Sequence, residues 1–224
     1  MKLTAIRAVH VRLPAPAPKT PARRPSWNRS APRALPINYY PEFSDKPGAM
    51  PGLGGGSVWV QVMAEDGTWG LGRCSFGRTV AAAVDDIFAP LLVGRDCLAT
   101  EYLNDLMWRA GQRLGSAGHM AVAQSGVDLA LWDWKGKLLG QPVYRLLGGP
   151  SRESIRLYAT GDDLDWAQEL GFTAFKITNP VHYSAGTAGL NRLEEKVALA
   201  RETVGPDAEL MINPVMSYNV AYAV

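Results

Sequence analysis

Ala123-Gln-Ser-Gly-Val-Asp-Leu-Ala-Leu-Trp-Asp-Trp-Lys-Gly-Lys137 lies inside the longest helical pattern of the chain, from Ser116 to Leu139. Met120, Ala123, Val127, Ala130, Leu131, Trp134 and Leu138 recur at three-to-four spacing and so share one helical face. Such a face needs a partner layer, and Met120 and Trp134 read as part of that core, not as cofactor contacts. Gly140 and Pro142 stop the helix, since glycine accepts a left-handed cap and proline cannot continue the ladder. Pro142 to Gly148 adds one further helical turn.

The partner layer is readable upstream. Val58-Trp-Val-Gln-Val-Met-Ala64 alternates core-type and surface-type side chains, Asp66-Gly67 is a turn dipeptide, and Thr68 to Cys74 returns as the second arm of a β-hairpin. Residues 2–13 supply a third strand of the same alternating kind. Two helices, 79–93 and 97–114, follow the hairpin, with Thr79 and Asp96 as their expected N-caps. Gly52, Gly54, Gly55 and Gly56 precede it without a helix start and lysine behind them, so they are expected to form a hinge, not a phosphate cradle.

Downstream the grammar changes to strands alternating with helices: strand 155–159, helix 163–170, strand 173–178, a loop to 189, helix 190–204 and strand 209–213. That order implies parallel pairing through right-handed crossovers. The expected architecture is an α+β domain over 1–150, an antiparallel sheet plus helices, followed over 151–224 by an incomplete β/α barrel. The boundary falls near 148–155.

Composition bounds the function classes. The chain has 224 residues, 47% hydrophobic and 20% charged, with a formal net charge of +2. That balance excludes global disorder and collagen-like chains. No apolar run reaches the length of a membrane span, and MKLTAIRAVHVRL alternates instead of forming a signal-peptide core. Cys74 and Cys97 are isolated thiols, as expected of a cytoplasmic protein and unlike a disulfide scaffold. The near-neutral total hides an asymmetry. Residues 1–41 hold eight Lys or Arg and no acid, and seven of the 16 prolines lie between 14 and 36. Segment 14–57 therefore reads as a basic Pro- and Gly-rich loop: a solvated loop, a lid over a carboxylate-bearing small molecule, or a nucleic-acid contact. The lid is the functional reading adopted, with no nucleic acid and no membrane as partner.

The segment from Ala123 to Lys137, together with Pro142-Val143 and Leu146-Leu147-Gly148, resembles the first signature of the mandelate racemase and muconate lactonizing branch of the enolase superfamily across 26 positions. Trp134 departs from it, where Leu, Ile or Ala is usual. Tyr158-Ala-Thr-Gly161 and Met216-Ser217 are most similar to the rhamnonate dehydratase subgroup. The resemblance implies a capping domain over a β/α barrel, and Mg²⁺-dependent removal of a proton α to a carboxylate, followed by loss of the β-hydroxyl as water. A racemase, epimerase or cycloisomerase is the variant within that family. A non-catalytic remnant or basic-loop binding module is the alternative outside it. Full-length members are expected to be homo-oligomers.

Carried over position by position, the resemblance makes Lys176 the catalytic lysine at the end of the second barrel strand. Thr178 stands where a second lysine is usual, which favours the dehydratases over the racemases. Asn213 occupies the place of the first metal-binding aspartate and removes one negative charge from a hard-cation site. Arg24, Trp27 and His182 are the remaining substrate-binding candidates, and Ser26 stands beside Trp27 where a histidine is expected. His10 and His119 match no catalytic position. A complete β/α barrel takes about 250 residues, whereas 70 follow residue 154. The expectation is a chain cut after its third barrel strand and inactive alone.

Overall fold

A computed structural model describes residues 1–9, 11, 34–44 and 56–224. These fall into two compact units: described residues of 1–16 and 52–153 form the first, those of 17–51 and 154–224 the second.

The first unit is built on a three-stranded antiparallel sheet in the order β1 (Leu3–Val9), β2 (Val58–Ala64), β3 (Trp69–Cys74). Val58, Val60, Val62 and Ala64 are buried while Trp59, Gln61 and Met63 are less so, the period-two burial that the alternation of β2 dictates. The Asp66 carboxylate accepts from the Thr68 N–H and hydroxyl and fixes the hairpin turn. Of the strand expected over 2–13, Leu3–Val9 is described as β1, and residues 10, 12 and 13 lie outside the described residues. Residues 10 and 12–33, and with them most of the basic loop, lie outside the described residues, as do 45–55.

Helices cover one face of this sheet. In chain order after α1 (Pro41–Ser44), which belongs to the second unit, α2 covers Gly77–Ala82 and runs through a π-helical stretch, Ala83–Phe88, into Ala89–Leu92. Then come α3 (Thr100–Gly111), α4 (His119–Leu139) and α5 (Val143–Leu146). Two expected N-caps are corrected. Phe76, in the left-handed region at φ 68°, occupies the cap of α2, and the Thr79 hydroxyl donates back to its carbonyl. Ala99 precedes α3, while Asp96 accepts from the Leu98 N–H one turn earlier. Both side chains are used locally, in turns that lead into the helix.

The apolar stripe of α4 packs onto β2 and β3: Ala123, Val127, Ala130, Leu131 and Trp134 are fully buried. The approach is closer than side chains permit. A Cβ at Gly72 would collide with the Gly126 carbonyl, and one at Gly70 with the Ala130 carbonyl. A Cβ at Gly126 would lie 2.8 Å from the Cys74 Sγ. Three glycines thus let peptide groups of helix and strand meet directly. Carboxylates close both sheet edges: Asp133 of α4 accepts from the Leu71 N–H of β3 at 2.8 Å, and Asp85 accepts from the Ala8 N–H of β1 at 2.7 Å.

The second unit carries a parallel sheet in the order β4 (Ala159–Thr160), β5 (Ala174–Thr178), β6 (Glu209–Asn213). Besides α1, its described helices are α6 (Leu164–Glu169), α7 (Gly186–Val204) and α8 (Val220–Ala223). Phe175 and Ile177 point into a core with Leu164, Ala167, Ala200 and Val204. The strand expected at 155–159 is corrected to a two-residue strand, because Ile155 and Leu157 are 73% and 65% exposed and have no layer to pack against. Helix α7 begins four residues before the expected 190, extended by Gly186 to Gly189. No helix among the described residues is long and apolar enough to cross a membrane.

Candidate functional site

Strand β5 sorts its side chains by parity. Phe175 and Ile177 face the helices, and Lys176, the middle residue of the strand and not its end as expected, faces away from them. The Lys176 ammonium donates to the Tyr158 hydroxyl at 2.9 Å and lies 4.7 Å from the centre of that ring. Tyr158 is half exposed. A cation held over an aromatic face is partly compensated yet still open to an anion.

Thr178 is used differently. Its N–H donates to Asp162 Oδ1 at 3.0 Å and its hydroxyl to Asp162 Oδ2 at 2.6 Å. The Lys196 ammonium of α7 donates to the same Thr178 oxygen at 2.6 Å and to Asp162 Oδ2 at 2.9 Å. Thr178 is buried, and both its hydroxyl proton and an oxygen lone pair are committed. This trio ties the end of β5 to the turn after β4 and to the helix behind. Asp162 and Lys196 escaped the sequence reading, since 34 residues separate them and neither sits at a motif position.

Thr178 and Asn213 are register partners across β5 and β6. Asn213 is exposed, and its side-chain oxygen accepts from the Val215 N–H at 3.2 Å. Val215 and Met216 follow in the left-handed region at φ 47° and 59°, which is costly for a β-branched residue.

A second cluster gathers on the loops behind these strand ends. Asn179 is fully buried. Its amide donates to the Val181 carbonyl at 2.6 Å and to the Ser217 hydroxyl at 2.7 Å, and its oxygen accepts from the Val181 N–H and the Tyr218 hydroxyl. It thereby joins the loop after β5 to the loop after β6, and its backbone carbonyl accepts from the Ala34 N–H. His182 is buried beside Tyr183, with ring centres 4.3 Å apart, and Tyr39 meets it edge-on at 6.0 Å. The Ser184 N–H donates to His182 Nδ1, so the neutral ring carries its proton on Nε2. Burial pulls the His182 pKa below its ordinary 6.5 and favours that neutral form. Asn179 and the tyrosines carried no motif signal.

The structure therefore places Thr178 and Asn213 at the carboxyl ends of two adjacent strands, Lys176 in the middle of β5 and His182 in the loop after it, with Lys176 the one aimed outward as a cation. Arg24, Trp27 and His10 lie outside the described residues, and His119 packs edge-on against Phe76 in the first unit. A magnesium ion needs several oxygen ligands, mostly carboxylates. Among the described residues no group of three or more His, Cys, Asp or Glu is placed to hold a metal ion, and the Asn213 oxygen already accepts a hydrogen bond. The described residues do not by themselves make a magnesium site. Cys74 and Cys97 are buried free thiols, and burial pushes the Cys97 pKa up to about 11, which leaves it unreactive.

Residues 55–148 match the mandelate racemase / muconate lactonizing enzyme, N-terminal domain family. The L-rhamnonate dehydratase of Saccharopolyspora erythraea is 38% identical over 190 residues, 85% of this chain and 49% of its own length. A Gibberella zeae rhamnonate dehydratase, solved in complex with Mg, superposes with a TM-score of 0.85 at 30% identity over 99% of this chain and 55% of that one. The 3,6-anhydro-D-galactonate cycloisomerase of Zobellia galactanivorans superposes with a TM-score of 0.64 at 30% identity, over 75% of this chain and 48% of that one. The chain spans about half the length of the curated relatives it matches. Through residues 55–148 the chain carries the N-terminal domain of the mandelate racemase / muconate lactonizing enzyme family, and the chain as a whole is similar to the rhamnonate dehydratases.

Proposed function

We propose that the chain is the capping domain and opening barrel segment of a cytoplasmic acid-sugar dehydratase, acting on a small aldonate of the rhamnonate kind. In that reaction a base takes the proton α to the carboxylate, the β-carbon–oxygen bond breaks, and the hydroxyl leaves as water to give an enol that ketonises. Lys176 is the group this chain contributes: its ammonium, steadied by Tyr158, binds the negative end of the substrate. The observation that carries the reading is this outward cation in the middle of β5, two residues before the strand's carboxyl end, in a chain that follows rhamnonate dehydratases along nearly its whole length. Thr178 supports a dehydratase over a racemase, because the place of a second lysine holds a residue engaged in a structural trio. Arg24 and Trp27 remain proposed lid contacts. Full-length forms are proposed to assemble as homo-oligomers.

Lacking a carboxylate cluster among its described residues, the 224-residue chain is expected to bind acid sugars weakly and leave them unchanged. Titration of the purified chain with L-rhamnonate and with neutral L-rhamnose should show heat for the acid alone, lost in Lys176→Ala. Equal binding of the neutral sugar would sink the reading. Magnesium-dependent dehydration of any aldonate by this chain would instead sink its inactivity.

A further inference from the structure

Residues 34–44, the described part of the basic loop, belong to the second unit. They are folded on themselves: a 3₁₀ turn, Pro36–Tyr39, leads into α1. The buried Asn38 side chain accepts from the Leu35 N–H at 2.6 Å and donates to the Phe43 carbonyl. Ala34 and Tyr39 fasten this piece to the loop after β5. The Ala34 N–H donates to the Asn179 carbonyl at 2.9 Å, and the Tyr39 ring lies 6.0 Å from His182 and 6.1 Å from Tyr183, centre to centre. His182 is 6% exposed and Tyr39 52%, so Tyr39 shields the imidazole with one side while the other meets water. The groups packed on that imidazole are Tyr39 from this piece and Tyr183 and Ser184 from its own loop, all uncharged. The loop after β6 reaches Tyr183 through the Ser217 carbonyl and brings no charge either. No described residue makes an ion pair with His182, and burial is what lowers its pKa.

We infer that Tyr39 and His182 form a pH-sensitive clasp: neutral His182 holds residues 34–44 against the loop after β5, and a proton on His182 releases them. Protonation puts hydrogen on both ring nitrogens, so Nδ1 can no longer accept from the Ser184 N–H, which stands 3.2 Å away. The Ser184 hydroxyl, 2.9 Å from Nδ1, can turn a lone pair toward the new proton, but the backbone N–H cannot turn. A buried charge without a counter-ion then needs water, and Tyr39 is what keeps water off. Of the two tyrosines, Tyr183 has reason to stay, because a cation is favourable over an aromatic face and its ring centre is 4.3 Å away. Tyr39 is the one that yields. Already half exposed, it surrenders little apolar burial by leaving, and the single Ala34 bond is then the weaker part of the fastening. The proton thus moves the cover and leaves the loop beneath it in place, where the buried Asn179 side chain still joins it to Ser217 and Tyr218.

The test is amide hydrogen exchange of the full 224-residue chain across acid to neutral pH, corrected for the intrinsic pH dependence of exchange, with far-UV circular dichroism to confirm that each variant is folded. Between the ordinary histidine value of 6.5 and the lowered folded-state pKa, protection of the Ala34 amide should fall about tenfold per pH unit. The β5 amides of residues 174–178 should keep theirs over the same range. His182→Gln, which retains a hydrogen-bond acceptor but takes no proton, should leave Ala34 protection flat with pH, and so should His182→Phe, which retains a ring. Tyr39→Ala should leave Ala34 unprotected at every pH. Wild-type protection at Ala34 that does not change with pH overturns the inference. So does an acid loss that persists in either folded His182 variant, or a Tyr39→Ala chain that protects Ala34 as well as the wild type.

Discussion

The two units treat their sheet edges in opposite ways. In the first, carboxylates from neighbouring helices, Asp85 and Asp133, each take one outward N–H, that of Ala8 in β1 and that of Leu71 in β3. In the second, no carboxylate of a described residue takes an outward N–H of β6, and apolar side chains lie beside it. The first unit also holds the signature segment, whose residues serve packing: Gly126 admits Cys74, Asp133 guards an edge, and Ala130 and Leu131 fill the core. The second unit matches fewer motifs yet holds every placed candidate for chemistry. A strong family signature here reports on architecture, and the chemistry has to be argued from strand ends elsewhere.

The sharpest way to break this comparison is to crowd the first unit where helix touches strand. Gly72→Ala is expected to cost more than about 4 kcal/mol, because backbone is the obstacle and cannot yield. Urea unfolding followed by tryptophan fluorescence would show it, and a loss under about 1 kcal/mol would mean that the glycines are incidental.

In the second unit the comparable test is Lys196→Met. Leaving Asp162 without its cation is expected to cost about 1–3 kcal/mol, confined to the unfolding of that unit. Hydrogen exchange at residues 159–178 would read it, and unchanged protection there would remove the trio from the account.

A smaller effect is expected from His182. Its pKa is lowered by burial, so the unfolded chain binds the proton more readily. Stability is then complete above the ordinary value of 6.5 and declines as pH falls below it toward the folded-state pKa. Melting temperature against pH should decline less steeply on acidification in His182→Gln than in the wild type, and identical slopes would refute the assignment.

The smallest effect belongs to Trp134, whose indole N–H is buried with no hydrogen-bond partner among the described residues. Trp134→Phe removes that orphan donor along with some volume, so its net cost should be about 1 kcal/mol or less. Leu131→Ala, which only opens a cavity in the same helix face, should cost about 2–5 kcal/mol. Thermal melts of the pair would decide, and a larger loss for Trp134→Phe would show that the ring's bulk outweighs its unpaired N–H.

Much of this was legible in the chain itself, where the signal was local. The hairpin follows from alternation in β2 and the turn at Asp66-Gly67, and α4 follows from its stripe and its Gly140 stop. What stayed hidden depended on partners distant in sequence. Residues 155–157 look like strand but find no layer, so pairing starts only at Ala159. Asp162 and Lys196 meet through the crossover, and Asn179 becomes a hub once Ser217 and Tyr218 arrive from the next strand's loop. Lys176 and Asn213 were placed by family likeness, which fixes a position along a strand but not what the side chain touches there.

The glycine contact between α4 and β3 also sets a length standard. Where bare peptide meets bare peptide, the separation of two layers is a property of the main chain and not of whichever side chains happen to intervene. Sequence drift elsewhere in the first unit can reshape its outer surface, but it has no lever on that spacing, and α4 acts as a datum from which the rest of the unit is measured.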